Sequence, residues 1–382
     1  MERVYLDNAA TTRVREEVIE KMQHALATVY GNPSSTHGFG RSAKTAIEQA
    51  RKTIAAYLNA KPAEIIFTSG GTEADNMILR SAVRDLGVKT LITSRIEHHA
   101  VLHTAAELLH EYGIQLLFTE LDTNGNPDLG HLEALLQKDG SRKLVSLMHV
   151  NNEIGNILDI EAIGGLCKAH GALFHSDTVQ SIGHYSCDAM RSGADFLTAA
   201  AHKFHGPKGV GFAYIKRNTG LKPLIFGGSQ ERGFRAGTES FHNIVGLEAA
   251  MIAAHENMDE EREHIIGLKN YFVNSLREAI PGIRFNGLSA HPVKSTYTLV
   301  NVCLPCEEEK AMLLLFHLDL KGIACSRGSA CQSGSNEGSH VLQEILSEDD
   351  LRKPSLRFSF SVYNNRDELD YVVSVLKDYL EN

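Results

Sequence analysis

The amino-acid sequence predicts an α/β protein in which a larger domain contains a mainly parallel β-sheet and a second domain is smaller. Two observations lead to this fold class. Short β-rich runs alternate with helical periods from about residue 63 to residue 215. A long helical stretch from about Phe241 to Ile280 precedes a second, shorter alternation of strands and helices. Strands that alternate with helices favour parallel pairing with both faces of the sheet covered.

The first alternation contains the predicted strands of the larger sheet, which are short apolar runs. They are Glu64–Thr68, Val88–Thr93, Ile114–Phe118, Leu144–Val150, Ala172–Ser176, Phe196–Ala199 and Val210–Ile215. The segments Ala100–Tyr112 and Asp159–His170 lie between strands and show helical periodicity. Ligands of such sheets bind outside the carboxyl ends of the strands. The residues that directly follow strands are therefore the candidate functional residues.

The second alternation predicts the smaller domain. Its strands are Tyr297–Cys303 and Ser355–Phe360, and its helices are Glu307–Asp319 and Arg366–Tyr379. The last helix has an apolar stripe that is typical of core packing, formed by Leu369, Val372, Val373, Leu376 and Leu380. The segment Ser326–Ser339 is rich in Gly and Ser and has no periodicity, which predicts a mobile surface loop.

Composition and charge exclude several classes of protein. The 382 residues include 38 Lys plus Arg and 47 Asp plus Glu, and no basic block occurs, so nucleic acid is not expected as a main partner. The longest apolar run, Ala311–Phe316, is far shorter than the ~18 residues of a membrane span, and the acidic N-terminus does not resemble a signal peptide. Six cysteines are too few for a disulfide framework. These features predict a soluble protein of the reducing cytoplasm.

Three strand ends contain residues that could bind a ligand or take part in catalysis. Thr68-Ser69-Gly70-Gly71-Thr72-Glu73 closes a strand and opens a helix, which suits a phosphate, although a plain turn capped by Ser69 or Thr72 is the alternative. Asp177 follows an apolar strand, where a carboxylate needs either a cation or a role as a helix cap. Lys203 follows three alanines, so it is either a partly desolvated lysine able to form a Schiff base or an ordinary surface lysine.

Histidines at a fourth strand end offer two interpretations. His98 lies where a strand meets a helix and could stack on a flat cofactor or move protons. His99 and His103 are four residues apart and could share a helix face as metal ligands. No carboxylate occurs at the spacing of a zinc protease, so a metal site is not expected.

The cysteines also allow two interpretations. Cys303, Cys306, Cys325 and Cys331 could form a four-cysteine zinc site, but the last two are separated by five residues, more than the usual ~2–4. Cys331 differs from the others because it lies in the Gly/Ser-rich segment. A thiol on a mobile loop is typical of a nucleophile that works in two places, and a plain surface thiol is the alternative.

A phosphate cradle, a strand-end Asp, a Schiff-base lysine and a stacking histidine together suit pyridoxal 5′-phosphate. At this point the chain resembles the cysteine desulfurases of the class V aminotransferase group. The motifs that support the resemblance are Tyr5-Leu6-Asp7-Asn8-Ala9-Ala10-Thr11-Thr12, Gly31-Asn32-Pro33-Ser34-Ser35, Gly227-Gly228-Ser229-Gln230-Glu231 and Leu356-Arg357-Phe358-Ser359.

The resemblance implies the fold of type I pyridoxal-phosphate enzymes, with a mainly parallel seven-stranded sheet. It implies a large cofactor-binding domain over residues 14–258. Residues 1–13 and 259–382 would form the small domain, which contains the Cys331 loop. A homodimer is also expected.

The resemblance also implies a role for each candidate residue. Lys203 forms the Schiff base and acts as the base, and His98 stacks on the ring and helps to move protons. The remaining cofactor contacts are Asp177 to the pyridine nitrogen, Gln180 to the ring hydroxyl, Gly71, Thr72 and His202 to the phosphate, and Thr238 to the phosphate of the partner subunit. Asn152 and Arg357 bind the substrate carboxylate, and Cys331 receives the sulfur as a persulfide.

The expected reaction converts L-cysteine to L-alanine and delivers sulfur to an acceptor protein for iron–sulfur cluster or thiocofactor biosynthesis. Ala200 replaces a hydroxyl residue of many relatives, Cys325 replaces an apolar one, and the chain ends at Asn382 without the tail that docks an iron–sulfur scaffold. The alternatives are a selenocysteine lyase, a plain class V aminotransferase or a non-catalytic protein on the same fold. A dehydrogenase is disfavoured because no G-x-G-x-x-G motif follows an early strand.

Overall fold

A mainly parallel sheet of seven strands forms the centre of the larger part of the molecule. The computed structural model describes residues 3–306, 308–327 and 338–381. The strands are β2 (Ile65–Thr68), β3 (Thr90–Thr93), β4 (Gln115–Phe118), β5 (Lys143–Ser146), β6 (Leu173–Asp177), β7 (Phe196–Ala200) and β8 (Gly211–Ile215). Their order is β2-β8-β7-β6-β5-β3-β4, and β8 runs antiparallel to both of its neighbours. The predicted fold class is confirmed.

Helices cover both faces of this sheet. They are α1 (Glu16–Thr28), α2 (Gly38–Tyr57), α3 (Gly71–Leu86), α4 (His99–Tyr112), α5 (Leu129–Gln137), α6 (Ile160–Ala169) and α7 (Phe241–Glu256). Successive strand residues point to opposite faces, so Phe196 belongs to one apolar core and Leu197 to another. Both side chains are buried, as a sheet covered on two faces requires.

A third apolar core lies around a three-stranded antiparallel sheet. Its strands are β9 (Arg284–Phe285), β10 (Leu299–Cys303) and β12 (Ser355–Ser359), with β10 in the centre. In this core the Phe272 ring contacts Phe358 and Phe360 edge to face, with ring centroids 5.1 and 5.7 Å apart. The N-terminal strand β1 (Val4–Tyr5) pairs in parallel with β11 (Ile323–Ala324), and Val4 joins the same core.

Five helices of the described chain belong to this second part. They are α8 (Met258–Ala279), α9 (Glu308–Leu320), α10 (His340–Ile345), α11 (Glu348–Leu351) and α12 (Arg366–Glu381). The predicted stripe of α12 is confirmed, because Leu369, Val372, Val373 and Leu376 are buried and Leu380 packs against them. No helix in the described part of the chain is long and apolar enough to cross a membrane.

One predicted strand is shorter than expected. The run from Leu144 to Val150 predicts a continuous strand, but β5 ends at Ser146. The Met148 backbone N–H donates to the buried Glu97 carboxylate at 2.8 Å, a side-chain partner that hydrophobic periodicity does not reveal. The chain therefore leaves β5 at the carboxyl end of the sheet, where a ligand is expected to bind.

Candidate active site

A cavity of about 240 Å³ lies beyond the carboxyl ends of the central strands. It brings together nine of the residues that the sequence predicts to be functional: Gly71, Thr72, His98, Asn152, Asp177, Gln180, His202, Lys203 and Arg357. The other residues that line it are Ala9, Ala10, Asp75, Met148, Val150, Val179 and Ala200. The lining comes from the N-terminal segment, from the large sheet and from β12, so it assembles only when the whole chain is folded.

Lys203 lies in a short turn directly after β7. Its ammonium group donates hydrogen bonds to the carbonyl oxygens of Ala9 at 2.7 Å and Ala10 at 2.8 Å. The N-terminal segment therefore fixes the direction of the lysine. The lysine is part of the cavity wall, as its prediction as a Schiff-base residue requires.

The turn before α3 has the features of an anion site. Gly70 precedes the helix with a φ of 158°, and no described side chain caps the first N–H groups of the helix. The predicted alternative of a cap by Ser69 or Thr72 is therefore wrong. A Cβ on Gly71 would lie 2.7 Å from Cγ2 of Val179, so the backbone can approach its surroundings this closely only at a glycine. Uncapped N–H groups at a helix start suit a phosphate.

Asp177 ends β6 as a buried carboxylate. Its Oδ1 accepts hydrogen bonds from the Val179 backbone N–H at 2.9 Å and from the Thr198 hydroxyl at 3.5 Å. Burial, together with the smaller effect of the neighbouring Asp75 carboxylate, raises the pKa of Asp177 to about 6. A cation that entered the cavity beside Asp177 would favour its ionised form.

His98 is held in one tautomer. Its Nδ1 accepts the Ala100 backbone N–H at 3.1 Å, so the proton of the neutral ring is on Nε2. Burial lowers the pKa of His98 and keeps the ring neutral. His202 contacts the Thr11 hydroxyl through Nδ1 at 3.2 Å, and burial lowers its pKa to about 4. Both imidazoles are therefore neutral at pH 7.

Arg357 projects from β12 and is almost completely buried. Its Nη1 donates to the Asn152 carbonyl oxygen at 2.7 Å and its Nη2 to Asp7 Oδ1 at 3.0 Å. Its Nε has no hydrogen-bond partner among the described residues. A guanidinium with spare donors at a cavity wall suits a carboxylate, which it can bind through two parallel hydrogen bonds.

Gln180 and Ala200 also line the cavity, where the resemblance predicts contacts to the cofactor. The Gln180 side-chain N–H donates to the Ala9 carbonyl oxygen at 2.9 Å, which fixes the amide at the cavity wall. Ala200 lies beside the phosphate cradle, with its Cβ 3.9 Å from the position of a Cβ on Gly71. The departure from the pattern of relatives thus falls at the cradle and removes a hydroxyl there.

Three residues named in the sequence analysis are not among the described lining of the cavity. Cys331 is outside the described residues. Thr238 is exposed and is not among the described residues that line the cavity, and its implied role concerns the partner subunit. Cys325 packs against the core around the three-stranded sheet, and burial raises the pKa of its thiol to about 12. The thiol of Cys325 is therefore protonated at neutral pH and serves packing.

The sequence did not single out several residues of the wall. Asp75 follows Gly71 by four residues in α3, so helical periodicity places both on one face and could have indicated it. Ala9 and Ala10 contribute backbone carbonyls, for which side-chain chemistry gives no signal. The Asp7 carboxylate accepts a hydrogen bond from Arg357, 350 positions away in the sequence. The only signal for this role of Asp7 was its place in the N-terminal motif.

The described residues fit pyridoxal 5′-phosphate. The uncapped start of α3 matches a phosphate, the buried Asp177 carboxylate matches a protonated pyridine nitrogen, and the Lys203 amine matches an aldehyde. The neutral His98 ring lies at the same cavity. The cradle, the carboxylate and the amine all line one cavity, as a single ligand requires.

Comparisons with known proteins agree with this site. The model of the aminotransferase class-V family matches residues 4–372. The "Cysteine desulfurase IscS" of Dictyoglomus turgidum is 42% identical over 99% of this chain and 94% of its own length. The "Putative cysteine desulfurase IscS 1" of Bacillus subtilis is 40% identical over 100% of this chain and 99% of its own.

Solved structures extend the similarity to the fold. A protein described as "NIFS-LIKE PROTEIN" superposes with a TM-score of 0.89 and 35% identity over 100% of both chains. A structure described as "SspA in complex with cysteine" has a TM-score of 0.81 and 32% identity, and the match covers 95% of this chain and 100% of that one.

Proposed function

The chain belongs to the aminotransferase class-V family, and we propose that within it the protein is a pyridoxal-phosphate-dependent cysteine desulfurase that converts L-cysteine to L-alanine. One observation carries this proposal: Lys203, Asp177, the uncapped start of α3 and Arg357 all line one cavity. Members of this family use pyridoxal 5′-phosphate, and the relatives at about 40% identity are named cysteine desulfurases.

We assign the cofactor contacts as follows. Gly71, Thr72 and His202 would hold the phosphate, Asp177 the pyridine nitrogen and Gln180 the ring hydroxyl, while His98 would stack on the ring and Lys203 would hold the aldehyde. The α3 N-terminus favours the negative charge of the phosphate. The remaining contacts of the cradle would compensate for the hydroxyl that Ala200 lacks, because a single hydrogen bond to a charged group contributes only about 1.5–3 kcal/mol.

The cofactor, when bound, withdraws electrons from the substrate and thereby acidifies its Cα–H bond. The Asp177 carboxylate supports this by keeping the pyridine nitrogen protonated. The Lys203 amine, which lines the same cavity, would accept the Cα proton. The neutral His98 ring has its proton on Nε2 and can pass it to a neighbouring group.

Arg357 and Asn152 orient the substrate. The Arg357 guanidinium is fixed by the Asn152 carbonyl oxygen and by Asp7, so its remaining donors have a defined direction. A carboxylate bound there would hold L-cysteine in the same cavity as the Lys203 amine. The orientation is therefore set before the chemical step begins.

Cys331 is the proposed sulfur acceptor. Its thiolate forms an S–S bond with the substrate sulfur while the C–S bond of the substrate breaks. The electron pair of that C–S bond stays on carbon, where a proton completes L-alanine, and Cys331 is left as a persulfide. The outer sulfur then passes to an acceptor protein for iron–sulfur cluster or thiocofactor biosynthesis. The proposed compartment is the cytoplasm, where reducing conditions keep thiols free.

We further propose a homodimer with a large domain over residues 14–258 and a small domain formed by residues 1–13 and 259–382. Two apolar cores, one at each face of the large sheet, lie within the first range, and a third unites Val4 and Leu6 with the C-terminal part. Tyr30, Phe39 and Phe226 are 75%, 59% and 76% exposed, and a second copy of the chain would cover such side chains. Sedimentation of the holoenzyme tests the dimer, since a monomer at micromolar concentration would contradict it.

A single-turnover experiment tests the function. The holoenzyme is mixed with L-cysteine without reductant, and the peptide that contains Cys331 is analysed by mass spectrometry. We expect one added sulfur on Cys331, equimolar L-alanine, and neither in Lys203→Ala. Holoenzyme that adds no sulfur to Cys331 but transfers the substrate amine to a keto acid would refute the desulfurase and indicate an aminotransferase.

A further inference from the structure

The segment Ser229–Gly237, here called the brace loop, has an unusual backbone. Glu231 has φ 45° and ψ 41°, Arg232 has φ 59° and ψ 27°, and Gly233 has φ 82°. Left-handed conformations are costly for residues with a Cβ, and two in succession persist only where their surroundings enforce them. The brace loop therefore needs strong anchors.

The first anchor is a buried ion pair between Glu231 and Arg51 of α2. Both side chains are about 2% exposed, and two parallel hydrogen bonds of 2.7 and 2.8 Å join them. The same Glu231 carboxylate accepts the backbone N–H of Phe67 at 2.8 Å, and Arg51 donates to the Ile65 carbonyl oxygen at 2.6 Å. Ile65 and Phe67 belong to β2, the edge strand that leads directly into the phosphate cradle.

The second anchor lies on the other side of the cradle. The Arg235 guanidinium donates to the Glu73 carboxylate at 2.9 and 3.4 Å. Glu73 is in the first turn of α3, and it also accepts the Ser69 backbone N–H at 2.8 Å. The brace loop thus contacts the chain at Phe67, before Gly71 and Thr72, and at Glu73, directly after them.

We propose that the brace loop is a positioning element for the phosphate end of the cofactor site, with Glu231 and Arg235 as its positioning residues. It fixes β2 relative to the first turn of α3, so that the cradle between them keeps its shape. Thr238 follows the loop directly, so the same anchors fix the residue that would reach the phosphate of the partner subunit. This inference rests on the proposed function, because it concerns the cofactor of that reaction.

The test compares two ligands that differ only in the phosphate. Apo-enzyme is prepared, and equilibrium dialysis gives dissociation constants for pyridoxal 5′-phosphate and for pyridoxal. Glu73→Gln removes a negative charge near the phosphate, so a pure charge effect would strengthen phosphate binding. Loss of the brace predicts the opposite, a dissociation constant for pyridoxal 5′-phosphate about tenfold higher, with pyridoxal changed by less than about twofold.

Further variants separate the brace from folding. Arg235→Gln should give the same selective loss, and Arg51→Met/Glu231→Met removes the other anchor without leaving a buried charge unpaired. If the double variant does not fold, Glu73→Gln and Arg235→Gln alone test the proposal. Arg191→Gln, which breaks the exposed Arg191–Glu161 pair, is the matched control and should bind both ligands as the wild type does.

Two results would overturn the inference. One is an affinity for pyridoxal 5′-phosphate that stays at the wild-type value in Glu73→Gln and Arg235→Gln. The other is an equal loss of affinity for pyridoxal, which would indicate a general structural role. Failure of the wild type to bind pyridoxal 5′-phosphate at all would instead refute the proposed function, so the two failures are distinguishable.

Discussion

Replacing Arg357 by lysine tests how the site binds the substrate carboxylate. Arg357 uses one Nη for the Asn152 carbonyl oxygen and the other for Asp7, and its Nε is without a partner among the described residues. A lysine ammonium has no planar fork and cannot make these contacts and a paired contact to the substrate at once.

The magnitude follows from the hydrogen bonds lost. A hydrogen bond to a charged group contributes about 1.5–3 kcal/mol, so loss of one such bond should lower kcat/KM for L-cysteine about 10- to 150-fold. The content of bound pyridoxal 5′-phosphate should remain unchanged, because none of the proposed cofactor contacts involves Arg357.

The assay combines steady-state alanine formation with a ligand that lacks the carboxylate. We expect Arg357→Lys to bind cysteamine as well as the wild type does, since cysteamine has no group for Arg357 to hold. Arg191→Lys, at an exposed ion pair that is not part of the cavity lining, is the control. Equal losses for L-cysteine and cysteamine would refute the assignment of Arg357 as the carboxylate-binding residue.

Three further predictions concern single residues. Because burial raises the pKa of Asp177 from 3.8 to about 6, the folded protein holds this proton more tightly than the unfolded chain, and ionisation lowers stability as the pH rises from 4 to 6. Asp177→Asn should therefore gain up to about 3 kcal/mol in the unfolding free energy of the apo-protein at pH 8 relative to pH 4, measured in urea. Gly71→Ala places a Cβ 2.7 Å from Val179 Cγ2 and should weaken pyridoxal 5′-phosphate binding at least about tenfold in dialysis. Cys325→Ala should lower the unfolding free energy by about 1–2 kcal/mol and leave sulfur release within about twofold, because Cys325 packs against the core.

Each of these three predictions has an outcome that contradicts it. The same gain for Asp177→Asn at both pH values would show that its carboxylate does not lose a proton in this range. Gly165→Ala is the control for Gly71→Ala, since a Cβ there meets no described atom within 4 Å, and an equal loss of cofactor in both would disprove the cradle argument. Loss of persulfide formation in Cys325→Ala would assign that thiol a chemical role instead of packing.

Much of the fold could be predicted because its elements have local signals. The strands at Phe196–Ala200 and Gly211–Ile215 lie within one residue of their predicted bounds, since short apolar runs between turns define them. The antiparallel direction of β8 could not be predicted in this way, because periodicity shows burial and not direction. Just after the end of β5, the Met148 N–H bonds Glu97, which lies about 50 residues away in the sequence and is invisible to periodicity.

The sequence by itself determined the residue types of the site. Lys203, Asp177, Gly71 and His98 each follow a strand, and the topology of a parallel sheet collects strand ends at one edge, so their convergence was predictable. Their chemistry follows from the side chains, which local sequence reveals.

The tertiary structure decided how those residues are held. The Ala9 carbonyl fixes Lys203 across 194 positions, Asp7 fixes Arg357 across 350, and Glu231 fixes Arg51 across 180. Such contacts leave no trace in periodicity or spacing, because each depends on where distant segments meet once the apolar cores have formed. The physical reason is that burial is a collective property of the folded chain, and burial turns these polar groups into fixed and directional partners.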